Sequence, residues 1–114
     1  MKNTIVYIET ERGNYPLVFN LNVMEEIQEQ YGSLDNWGRI TQGEGEPQIK
    51  DLKNGIMAMI NEGIDIENES RTEKQFILTK KQVGRIMSEV GIPYLIEKIK
   101  EITVASTKGE SKNE

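Results

Sequence analysis

The strongest constraint on this chain is a stretch of apolar residues at helical spacing late in the sequence. Val83, Ile86, Met87 and Val90 fall at offsets of 0, 3, 4 and 7, so one face of a helix there is apolar and the rest polar. Thr79 stands four residues before Val83, with Gln82 between them, a capping-box spacing in which hydroxyl and amide each satisfy a free backbone N–H. Gly91 then closes the helix and Pro93 opens another, on which Leu95, Ile96, Ile99 and Ile102 face inward. Helices with one apolar stripe cannot stand alone, so the chain has to fold as a packed helical unit.

The same reasoning runs back along the chain. Asn20 or Asn22 can cap a helix whose Val23, Met24, Ile27 and Tyr31 share a face, with Glu25 and Glu26 set where the helix dipole favours negative charge. Gly32 stops it, and Ser33 caps a short helix carrying Leu34, Trp37 and Ile40. Pro47 suits the first position of a further helix, with Ile49, Leu52, Ile56, Met59 and Ile60 in one stripe and Gly63 at its end. Residues 64–74 read as a solvated acidic loop.

Only the N-terminal part has strand character. Residues 3–9, TIVYIET, are β-branched and aromatic with alternating faces, and residues 15–20, YPLVFN, resume extended character after a turn signal at Gly13–Asn14. The expected fold is α+β and mainly helical: an N-terminal β-hairpin followed by four or five short helices packed as a small bundle. Residues 1–105 form one domain, and 106–114 are a polar, flexible tail.

Composition narrows the chemistry. The 114 residues include neither cysteine nor histidine, which removes thiol chemistry, the usual general base near neutral pH and the commonest metal ligand. No enzymatic activity, metal or cofactor is expected. Asp65, Glu67 and Glu69 alternate, but a calcium loop counted from Asp65 needs Gly and Glu where Ser70 and Phe76 stand. The two glycines of TQGEGEP lie beside Glu44 and Glu46, which would repel a phosphate. The first residues, with one Lys and a short apolar run before Glu9, do not read as a signal peptide, and no apolar run has membrane-spanning length, so a cytoplasmic protein without membrane contact is expected.

Charge argues against nucleic acid as a partner. Residues 1–78 carry 7 Lys/Arg against 14 Asp/Glu, residues 79–114 carry 7 against 5, and the whole stands at −5. The helix pair around Gly91 has the shape of a DNA-reading helix-turn-helix, but its second helix offers Lys98 and Lys100 against Glu97 and Glu101 with no Arg, Asn or Gln. A packed helical hairpin fits it better. Tyr31 and Trp37 flank the Gly32 break, where aromatics either close a core or anchor a partner. Met57 lies about 100° round the helix from Ile56, off the main stripe, and is the methionine placed for an exposed, adaptable contact.

The order of these elements resembles the tail assembly chaperones of long-tailed (siphovirus-type) bacteriophages and prophages. Phe19, Leu21, Asn22, Ile27, Tyr31, Gly32, Ser33 and Leu34 match the family's strand end, helix and Gly-Ser-Leu break, and Leu78, Thr79 and Val83 match the start of its late helix. The resemblance spans most of residues 15–105. It implies a non-enzymatic protein of the bacterial host cytoplasm that binds the tape measure protein, keeps it soluble, helps recruit tail-tube subunits and is missing from the finished virion. It also implies room for self-association. Met24, Ile27, Tyr31, Leu34, Trp37 and Met57 are the expected partner-binding residues. The alternatives are a permanent virion component, such as a head-tail connector or tail-completion protein, and a small DNA-binding regulator.

Overall fold

The structure, a computed structural model, describes residues 4–111, with side chains as far as Thr107. Strands β1 (Ile5–Thr10) and β2 (Gly13–Val18) pair antiparallel, with Ile5 opposite Val18 and Thr10 opposite Gly13. Five helices follow: α1 (Leu21–Tyr31), α2 (Leu34–Gln42), α3 (Ile49–Asn68), α4 (Lys80–Val90) and α5 (Ile92–Ser111). This is the expected mainly helical α+β architecture, although α3 and α5 are each 20 residues long rather than short.

The hairpin turns one step earlier than its glycine suggests. Glu11 and Arg12 make the turn, while Gly13 and Asn14 already belong to β2. The Thr10 hydroxyl accepts from the Arg12 N–H (3.1 Å) and donates to the Gly13 carbonyl (2.8 Å), and Gly13 takes a φ of 141° that other residues rarely adopt. Each neighbouring helix clips onto the ribbon. The Tyr7 hydroxyl donates to Glu67 of α3 (2.6 Å), the Glu9 N–H donates to the Tyr94 hydroxyl of α5 (3.0 Å), and the Glu11 N–H donates to Glu89 of α4 (3.1 Å).

Helix α3 is the axis of the molecule, and two glycines explain how. Gly63 does not end this helix, which continues five residues further, so residues 64–68 are helix rather than loop. A Cβ at Gly63 would lie 2.8 Å from the Pro16 ring, so glycine here lets β2 press onto the helix. A Cβ at Gly55 would lie 2.1 Å from the Trp37 ring, which brings α2 equally close. Helix glycines cost about 1 kcal/mol each against alanine, and here that cost is offset by burial of Pro16 and Trp37 against the backbone.

The other expected boundaries hold with small shifts. Asn20 caps α1 by accepting from the Val23 N–H, which leaves Glu25 and Glu26 beyond the first turn rather than in it. Gly32, at φ 84°, ends α1, and Ser33 caps α2. Gln48 precedes α3, so Pro47 lies just outside the helix, and Ile49 is 52% exposed rather than part of the inward stripe. The capping box of Thr79 and Gln82 opens α4, with both bonds made. Leu52, Ile56, Met59 and Ile60 of α3 meet Ile8, Leu17, Val83, Met87, Leu95, Ile99 and Ile102 in one core. Helix α5 runs on to Ser111, through the first residues of the expected polar tail; residues 112–114 lie outside the described residues.

Candidate partner-binding surface

The six residues expected to meet a partner divide between the interior and the surface. Ile27 and Trp37 are core residues at 2% and 3% exposure, and neither offers contact area to a partner of the folded protein. The Trp37 indole N–H donates to the Asp51 carbonyl (2.9 Å), so the ring is locked between α2 and α3. Tyr31 and Leu34 are half-buried against the core, and Met24 is half-buried on α1. The Tyr31 hydroxyl donates to Asp51 (2.8 Å) and accepts from Asn54 (3.0 Å). Burial pushes this phenol above its ordinary range, and Asp51 adds to the rise while the Asn54 bond opposes it. Tyr31 therefore works as a bracket between α1 and α3.

Met57 is the residue that opens onto a groove. A cleft of about 280 Å³ runs between the first turns of α1 and the second half of α3. Met57, Ala58 and Val23 supply its apolar wall, and Ile77 of the following connector closes one side. Glu26, Glu62 and Asp65 stand around it, with no Lys or Arg among its lining residues. Glu62 is held in place by the side-chain amides of Asn20 (2.8 Å) and Asn22 (3.0 Å).

The connector between α3 and α4 carries the surface feature that sequence reasoning missed. Asn61 of α3 accepts from the Leu78 N–H (2.8 Å) and donates to the Leu78 carbonyl (3.1 Å). Asn68 does the same to the N–H and carbonyl of Gln75, at 2.9 and 2.8 Å. Two asparagines seven residues apart thus pin an extended segment alongside α3. Its Leu78 tucks against the core, while Phe76 is 94% exposed and Ile77 58% exposed. The result is a pinned backbone with two large apolar side chains turned to solvent, an edge whose ordering cost is already met by the fold. The signal was present in FILT, where four residues rich in apolar character precede a polar helix start, but the capping box drew the reading to the helix.

Among the described residues, no group of three or more Asp or Glu is placed to hold a metal ion, and every buried side-chain nitrogen or oxygen has a hydrogen-bond partner. Among the described residues, no helix is long and apolar enough to cross a membrane. Lys98, which the helix-turn-helix alternative would need at a base edge, sits over the Tyr94 ring (5.4 Å) and 3.6 Å from Glu101. No protein-family model matches the chain, and neither a curated protein nor a solved structure matches it.

Proposed function

We propose that this protein is a tail assembly chaperone of a long-tailed bacteriophage or prophage, acting in the bacterial host cytoplasm. In this reading it binds apolar helical segments of the tape measure protein, keeps that protein soluble, and helps bring tail-tube subunits to it. The observation that carries the reading is the docking edge of Phe76 and Ile77 beside the Met57 groove. An apolar helix face fits such a groove, and the flexible thioether of Met57 adapts to varied side chains. The carboxylates of Glu26, Glu62 and Asp65 favour segments whose apolar stripe is flanked by Lys or Arg. The match of Phe19, Leu21, Asn22, Tyr31, Gly32, Ser33 and Leu34 to the family pattern supports the same reading from the sequence.

Co-expression with the long helical protein encoded just downstream in the native gene cluster tests it. The expected result is a marked rise in the soluble fraction of that protein, with the two eluting together. The variant Met57→Asp/Ile77→Asp, folded by circular dichroism, should lose the effect. No gain in solubility and no co-elution with the unaltered chain would contradict the chaperone reading.

A further inference from the structure

A second cleft, of about 880 Å³, lies where the first turns of α3, one face of α4 and the hairpin turn meet. Arg12 reaches it from the turn, Lys53 from α3, and Lys81 and Arg85 from α4, with no Asp or Glu among its lining residues. On a chain of net charge −5, four converging cations are a local reversal of sign. Among the described residues none of the four is in an ion pair. Glu89, one turn beyond Arg85, is turned to the hairpin, where the Glu11 N–H donates to it (3.1 Å).

The convergence is electrostatically unfavourable. Lys81 and Arg85 are four apart on α4, a like-charge spacing that weakens a helix. Gly84 lies between them, and the Lys53 ammonium lies over it, 3.0 Å from where a Cβ would stand. Repulsion of this kind is relieved when an anion enters. The cleft is also apolar: Ile49, 52% exposed, stands at it with Met87 and Ile92. None of its lining residues is aromatic, so it lacks the stacking platforms that single-stranded nucleic acid uses, and the acidic remainder of the surface repels an extended polyanion.

We propose that this cleft binds an acidic amphipathic segment of a partner protein. The segment's carboxylates meet Arg12, Lys53, Lys81 and Arg85, and its apolar side chains lie on Ile49 and Ile92. The proposal stands whether or not the partner is a phage tail component.

Fluorescence anisotropy tests it with a short labelled amphipathic helical peptide of Leu and Glu, its Gln-for-Glu counterpart, and a labelled oligothymidylate of similar length. Saturable binding of the Glu peptide is expected, with the Gln peptide about tenfold weaker. Lys53→Glu/Arg85→Glu should weaken the Glu peptide about tenfold or more, and Lys100→Glu on α5 should leave it unchanged. If the double reversal fails to fold by circular dichroism, Lys81→Gln/Arg85→Gln replaces it, with about a threefold to fivefold loss expected. The proposal is overturned if the Glu peptide shows no saturable binding, if the Gln peptide binds equally well, or if the cleft variants bind unchanged. Oligothymidylate binding that depends on the same cations, without peptide binding, would overturn it in favour of nucleic acid.

Discussion

Two open clefts flank α3, and they differ in sign. The one at Met57 is bordered by Glu26, Glu62 and Asp65; the one at Ile49 is bordered by Arg12, Lys53, Lys81 and Arg85. Both have apolar walls, and both use one helix as their common side. Apolar area gives affinity with little discrimination, whereas the sign of the rim selects which segments approach and in which orientation. A single 20-residue helix thus carries cationic side chains beside its first turns and carboxylates along its second half.

If α3 is the shared wall, damage to it should remove both clefts together. Gly55→Ala places a methyl where the Trp37 ring lies, and should cost about 2–3 kcal/mol after the gain of about 1 kcal/mol in helix propensity. A lowered denaturation midpoint, with binding at both clefts weakened in parallel, is the expected result. Loss at one cleft alone would show that the two are not built on a common element.

Asn61→Ala should separate them. It removes the side chain that satisfies both backbone groups of Leu78, at a cost of about 1–3 kcal/mol. Hydrogen exchange should speed at residues 76–79, and the Met57 groove should lose its Ile77 side while peptide binding at the cationic cleft is retained. Thr79→Ala is the converse. Loss of the capping box should cost about 1 kcal/mol and loosen the first turn of α4, which carries Lys81. Affinity for the acidic peptide should fall, measured by anisotropy, with the solubilising activity kept.

The smallest effect concerns the bracket rather than either cleft. Tyr31 has its folded-state pKa raised, so the stability it contributes is fully present below its unfolded value of about 10 and is lost as pH rises through the folded value. Tyr7, raised first by its bond to Glu67 and then by burial, acts in the same direction. Tyr31→Phe should flatten part of the alkaline decline in thermal midpoint, leaving the contrast between the clefts unchanged at neutral pH.

How far the sequence foretold this depended on the kind of signal. Helix faces and caps were legible, because periodicity and short polar side chains act locally: Ser33 and Thr79 cap where expected, and Asn20 is the one of the two candidates, Asn20 and Asn22, that caps α1. Glycine was ambiguous. Gly32 and Gly91 end helices at positive φ, whereas Gly55 and Gly63 lie inside α3 to admit a ring from elsewhere in the chain, and only the tertiary contact distinguishes the two uses. The surface was least legible. Met57, off the main stripe, lines a cleft, whereas Ile27 and Trp37, expected at the same surface, lie in the core. Phe76 and Ile77 went unnoticed because their exposure depends on Asn61 and Asn68, seven and more residues away.

The most direct test of the account is photo-cross-linking in cells that co-express this chain with the long helical protein encoded just downstream, the partner that the proposed function names. A benzoylphenylalanine in place of Phe76 should give a covalent adduct with that protein, and the same probe in place of Lys100 on α5 should not. No adduct from position 76, where the side chain is 94% exposed on a pinned backbone, would contradict the assignment of this edge as the docking surface.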